Sequence, residues 1–291
     1  MERLIRLAAG ALALGLALCA AAQPKISSER VSFDSAVPGG TGATVWGELR
    51  LPDTGARRLP AVVVLHSSSG AYHDHHSDAF VAVLNRAGIA TLWIEMFPDR
   101  SRRPRSTRES LPQAYGALLY LARHPRVEPR RIGVLGFSWG GAMSVVMSSR
   151  DITQQYTGGK ARFAAHLALY PVCWAHQRIV EGKNPVYGAD AYRHVTGAPV
   201  HILAGEKDDY DEPDSCPKFV AALPEDVRRH FGVTVYPGAT HSFDGDVSFA
   251  QVYDRYAHAG RGGRVTLRSD AAAAAKARAF AVKFFSENLA P

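Results

Sequence analysis

From Pro60 onward the chain repeats one pattern: a short, nearly continuous apolar run, then a stretch with helical spacing. The runs cover residues 61–65, 90–94, 132–135, 163–169, 200–203 and 232–235. A strand that is apolar at every position is buried on both faces, which is the situation of a parallel sheet covered above and below. The segments near 77–88, 110–123, 140–149, 215–222 and 270–289 have helical spacing or composition, the last with Phe280, Phe284 and Leu289 on an Ala-rich background. Strands alternating with helices predict an α/β fold with a mostly parallel central sheet, right-handed crossovers and helices on both faces. Ahead of the pattern, residues 31–33 and 44–51 read as an antiparallel pair, joined by a turn through Pro38, Gly39, Gly40 and Gly42. Residues 170–198 are the least periodic and are expected to form loops and short helices over the carboxyl edge of the sheet.

At 291 residues, with 46% apolar and 21% charged side chains, the composition is that of an ordinary globular protein and excludes a collagen-like, coiled-coil or disordered chain. Residues 1–22 are expected to be a leader and not part of the fold. Arg3 and Arg6 precede an apolar run that ends in Ala20, Ala21 and Ala22, the three-part layout of a secretory signal peptide. The run is too short for a membrane anchor. Residues 23–291 are then expected to form a single α/β domain, exported to the periplasm or beyond, with no membrane partner once the leader is cleaved. Lys and Arg total 34 against 27 acidic residues, a net charge of +7 that is spread along the chain except for the run Arg100, Arg102, Arg103, Arg105 and Arg108. With no recognisable reader motif, nucleic acid is not an expected partner. The run is read as a solvated loop or as a lure for anionic esters. Without the leader only Cys173 and Cys216 remain. They follow consecutive predicted parallel strands, whose spacing of about 4.8 Å puts the loops beyond them within bridging reach, and an oxidising compartment favours a disulfide between them.

The sharpest chemical signal is Gly136-Phe137-Ser138-Trp139-Gly140-Gly141, directly after one predicted strand and directly before a helical stretch. A nucleophile on a tight strand-to-helix turn needs glycines beside it, because neighbouring backbone passes close. Ser138 is therefore the expected nucleophile, and the N–H of Trp139 an expected oxyanion donor. A serine hydroxyl needs a base, and the base needs an orienting carboxylate. Past the strand at 200–203 come Asp208, Asp209 and Asp211, of which Asp208 is expected to be the acid; past the strand at 232–235 comes His241, the expected base. The loop His66-Ser67-Ser68-Ser69-Gly70 is expected to supply the second oxyanion donor through Ser68, with His66 in a structural role. Tyr72, Trp139, Tyr170 and Trp174 fall near predicted strand ends and are read as pocket-lining candidates, with core packing as the alternative for Tyr170 and Trp174. The cluster His73, Asp74, His75, His76 and Asp78 has metal-ligating residue types, but adjacent histidines do not readily face one ion, and a polar loop leading into a helix explains it; no metal site is expected.

Together, "VVVLHSSSG", "GFSWGG", "LAGEKDDYDEP" and "YPGATHSFD" resemble the α/β hydrolases, and among them the dienelactone hydrolase family, over about residues 45–285. The resemblance implies an α/β-hydrolase fold, a catalytic triad of Ser138, Asp208 and His241, and neither metal nor organic cofactor. The chain departs from the family's namesake enzymes, which carry a cysteine nucleophile and a glutamate soon after the first histidine, where this sequence has Ser138 and Ser67. The expectation is an exported serine hydrolase that cleaves a small carboxylic ester or lactone through an acyl-enzyme. The alternatives are acyl transfer or peptide cleavage on the same residues, or a non-catalytic exported binding protein on the same scaffold.

Overall fold

The computed structural model describes residues 24–71, 75–97 and 104–291. The leader, Tyr72, His73, Asp74 and the arginines at 100, 102 and 103 lie outside the described residues, as do the side chains of His75 and His76. The apolar runs form the interior of one sheet. Its strands are β1 (Ile26–Asp34), β2 (Thr44–Pro52), β3 (Leu59–Leu65), β4 (Ala90–Ile94), β5 (Val127–Phe137), β6 (Ala165–Leu169), β7 (Val200–Gly205) and β8 (Phe231–Tyr236), in the spatial order β1-β2-β4-β3-β5-β6-β7-β8. Strands β3 to β8 are mutually parallel, whereas β2 runs antiparallel to both β1 and β4. The expected antiparallel entry and parallel body are both present.

Side-chain alternation explains why the runs are apolar throughout. Along β3, Ala61, Val63 and Leu65 enter one buried cluster with Leu118 and Leu121 of α2 (Leu111–Arg123) and Met143 of α3 (Trp139–Val146). Val62 and Val64 point the other way, into a cluster with Phe80 and Leu84 of α1 (His75–Arg86) and Phe284 and Phe285 of the C-terminal helix.

Between these helices lie α4 (Arg150–Thr157), α5 (Cys173–Val180), α6 (Ser215–Ala222) and the short α7 (Glu225–Arg228). Helix α5 falls in the stretch expected to hold loops and short helices. After β8 the chain adds a two-stranded antiparallel hairpin, β9 (Ala250–Asp254) and β10 (Gly263–Leu267), joined through the short α8 (Ala257–Gly260). It closes with α9 (Ala271–Asn288), capped by Asp270, whose carboxylate accepts the Ala272 and Ala273 N–H groups. Among the described residues no helix is long and apolar enough to cross a membrane.

Chain order departs from spatial order between β3 and β5, because β4 lies on one side of β3 and β5 on the other. A crevice forms at such a reversal, outside the carboxyl ends of the strands. The loop after β3 and the turn after β5 therefore open side by side.

Candidate active site

Ser138 follows β5 and caps α3 with φ 47° and ψ −103°, a left-handed conformation unusual for serine. Its N–H donates to the Leu169 carbonyl at 3.0 Å, and its own carbonyl accepts the Ala142 N–H at 2.8 Å. The glycines beyond it are needed for space: a Cβ on Gly141 would sit 2.6 Å from the Leu169 carbonyl oxygen. Gly140 lies against the carbonyl of Leu65 and donates its N–H to that of His66 at 3.2 Å, which docks the loop after β3 onto the start of α3.

The strained turn holds Ser138 Oγ 2.9 Å from His241 Nε2. On the far side of the ring, His241 Nδ1 donates to Asp208 Oδ2 at 2.7 Å, and Asp208 Oδ1 accepts the Tyr210 N–H at 2.9 Å. Asp208 and His241 are only 5% and 4% exposed, so the pair is shielded from water. With Nδ1 donating, Nε2 is left to accept the Ser138 hydroxyl proton. The imidazole has two aromatic neighbours, Tyr170 at 4.7 Å and Tyr210 at 4.4 Å between centroids.

Besides Ser138, the non-glycine residues Tyr170, Val172 and Ser242 also have positive φ, so left-handed residues flank the imidazole on several loops. Each such residue costs on the order of 1–3 kcal/mol, and the surrounding contacts must hold it in place.

The three aspartates that compete in sequence have separate partners. Asp208 binds the imidazole. Asp209 accepts the Thr266 N–H of β10 at 2.7 Å, which ties the acid loop to the hairpin. Asp211 accepts the N–H groups of Cys173 and Trp174, at 2.6 and 2.7 Å, and so caps α5. Burial, then the nearby Asp208 carboxylate, push the Asp211 carboxyl up to about 7. Cys173 and Cys216 form a disulfide with their Cα atoms 5.0 Å apart, joining the first turns of α5 and α6. The Cys173–Asp211–Cys216 grouping is therefore a bridge beside a helix cap rather than a thiolate metal site.

The remaining expected residues separate clearly. Trp139 opens α3, where first-turn N–H groups have no partner within the helix. Its indole donates to Ser110 Oγ at 3.3 Å and meets the Phe97 ring edge-on. Ser68 is exposed, inside a turn closed by the Gly70 N–H donating to the Ser67 carbonyl. His66 is fully buried. Its Nδ1 donates to the Ser67 carbonyl at 2.6 Å, and its Nε2 accepts the Met96 N–H at 2.9 Å beside Glu95 Oε1. Tyr170, read as pocket-lining, is only 1% exposed and donates to Asp244, so its ring is a floor under His241 instead. Trp174 is half-buried and packs against Gly260 at the hairpin tip.

Sequence reasoning missed the hairpin, which braces both downstream loops. Beyond the Thr266 contact, its residues His258 and Ala259 donate N–H groups to the Asp209 and Tyr210 carbonyls. Tyr210 Oη donates to Asp254, and Arg268, just past β10, exchanges hydrogen bonds with Thr240 Oγ1. Its only sequence trace is weak alternation around Val252 and Val265.

Residues 47–289 match the profile of the Dienelactone hydrolase family, which covers most of the chain. The chain belongs to the dienelactone hydrolase family. This member is a hydrolase of a family that acts on small ester and lactone substrates. A Bradyrhizobium sp. protein named "Probable 2-oxo-3-(5-oxofuran-2-ylidene)propanoate lactonase" is 24% identical over 199 residues, 64% of this chain and 74% of that protein. Among solved structures, a dienelactone hydrolase from Anabaena variabilis superimposes with a TM-score of 0.58 at 17% identity, covering 91% of this chain and 99% of that one. Esterase 2 from Thermogutta terrifontis, phosphorylated by paraoxon, superimposes with a TM-score of 0.62 at 16% identity, covering 89% and 95%. These likenesses place the family member in the α/β-hydrolase fold, as its sequence predicts.

Proposed function

We propose that this protein is an exported serine hydrolase that cleaves a small carboxylic ester or lactone through an acyl-enzyme. The observation that carries the reading is the continuous hydrogen-bonded chain Ser138 Oγ, His241, Asp208, set at the carboxyl ends of β5, β8 and β7. In the first half-reaction His241 Nε2 takes the Ser138 proton as Oγ attacks the carbonyl carbon, and Asp208 holds the imidazole in the required tautomer and stabilises the imidazolium. The N–H groups of Trp139 and Ser68 meet the oxyanion. The imidazolium then protonates the leaving alkoxide, which in a lactone stays attached as the far end of the opened ring. In the second half-reaction His241 activates a water that releases the acid and restores Ser138.

Three further points support this reading. The positively charged leader followed by Ala20, Ala21 and Ala22 supports export, with residues 23–291 acting as one catalytic unit. The Bradyrhizobium relative's lactonase name favours a cyclic ester over an amide. The reaction of the Thermogutta esterase with paraoxon is that of an enzyme with an activated nucleophile. A panel of p-nitrophenyl ester, lactone, thioester and anilide tests the assignment, with Ser138→Ala as the control. Turnover of the oxygen esters that vanishes in Ser138→Ala is expected. Turnover of none of them, or turnover unchanged by the substitution, overturns the reading.

A further inference from the structure

A cleft of about 500 Å³ opens at the amino end of the parallel strands, away from Ser138. Its walls include the entry to β5 at Arg130, the start of α4 at Arg150, the residues Lys160 and Arg162 that follow α4, and Thr196 ahead of β7. From Ile132 to Ser138 the strand alone spans about 20 Å at 3.3 Å per residue, so the cleft and the hydrolytic site do not share a ligand.

Arg130, Arg150, Lys160 and Arg162 line the cleft, and no aspartate or glutamate among the described residues does. None of the four makes an ion pair among the described residues. Like charges gathered without a counter-charge repel one another, and an anion that reaches several at once relieves that repulsion.

The cleft is also stiffly framed. Arg150 Nη2 donates to the Val195 carbonyl at 3.3 Å, and Arg162 Nη1 donates to the Thr196 carbonyl at 3.1 Å. The same segment is stitched to the base of α4, because the Arg150 N–H donates to the His194 carbonyl and the Thr196 N–H to the Ser148 carbonyl. Ser149 and Val195 form a β-bridge between these two bonds. Each tethered guanidinium keeps most of its N–H donors, and holding it in place before binding lowers the entropy lost when a ligand arrives.

We propose that this cleft binds a compact polyanion carrying two or more phosphate groups. The planar forks of Arg150 and Arg162 match the paired oxygens of a phosphate, and Lys160 and Arg130 add point and fork charges around them. A volume near 500 Å³ lies in the range of small-molecule pockets, about 300–1,000 Å³, and exceeds what one inorganic anion fills.

Calorimetric titration of the whole protein with tripolyphosphate tests the site, with vesicles of phosphatidic acid or phosphatidylcholine in a parallel arm to separate free from lipid-borne phosphate. Saturable 1:1 binding that weakens with salt is expected. The double variant Arg150→Gln/Arg162→Gln should weaken it at least tenfold, whereas Arg255→Gln/Arg264→Gln on the hairpin should weaken it less than twofold. Ester hydrolysis should be unchanged in Arg150→Gln/Arg162→Gln, which also reports that this variant folds. Binding to phosphatidic acid vesicles but not to tripolyphosphate overturns the polyanion assignment, because that headgroup carries a single phosphate. Binding to neither probe, or equal losses in the two double variants, overturns the site.

Discussion

Asp208→Asn isolates the orienting carboxylate with almost no change in shape. Among the described residues Asp208 is the carboxylate bonded to His241, 2.7 Å from Nδ1 and buried with it, and in the proposed mechanism it faces the imidazolium of the transition state. Taking the two charge centres as about 4 Å apart at an effective dielectric of about 20, the pair contributes about 4 kcal/mol, or about a thousandfold in rate. If the new amide turns its NH₂ toward the ring, the tautomer is also wrong, and the loss reaches about 10⁴-fold. Asp209→Asn leaves an amide oxygen to accept the Thr266 N–H, and Asp211→Asn leaves one to accept at the start of α5. Each of these should cost less than tenfold. Initial rates on p-nitrophenyl acetate at one pH, with thermal unfolding as the folding check, give the ranking. Asp208→Asn within tenfold of wild type, or a larger loss from Asp209→Asn, refutes the assignment of the acid.

Two stability predictions follow from buried groups. The Cys173–Cys216 bridge closes a sequence separation of 43 residues, for which chain entropy gives about 4 kcal/mol as an upper guide; reduction should lower Tm by roughly 8–16 °C, and an unchanged Tm contradicts it. His166 and His176 are buried, and desolvation lowers each from 6.5 to about 4. Below pH 6.5 the unfolded chain takes up protons that the fold does not, so stability falls with pH down to about 4 and then levels. By pH 5 the loss is about 2 kcal/mol for each histidine, and a Tm that is flat from pH 7 to 5 contradicts the burial.

The parallel body of the sheet was legible because its strands are nearly continuous apolar runs, interrupted by single polar residues such as Thr91, His166 and His201. Strand β1 runs from Ile26 to Asp34, yet only residues 31–33 read as strand. It is an edge strand that buries only Val31, and the polar stretch Ser27, Ser28, Glu29 and Arg30 ahead of Val31 carries no apolar signal. The hairpin was illegible for a similar reason: residues 251–253 of β9 are exposed, Tyr253 by 77%, and it is held chiefly by backbone bonds to loops distant in sequence. Ser138, Asp208 and His241 could be placed because each follows a strand that the pattern marks. The ring contacts of Tyr170 and Tyr210 with His241 could not, since they join loops far apart in sequence, and the positive φ of Tyr170 leaves no periodic trace.

Whether Ser138 forms a covalent bond in turnover is the question on which the mechanism rests. Incubation with paraoxon followed by peptide mass mapping answers it. A diethylphosphoryl group on the peptide containing Ser138, in step with loss of ester hydrolysis and absent in Ser138→Ala, is the expected result. Full inactivation with the adduct on another residue, or an adduct that survives in Ser138→Ala, contradicts it.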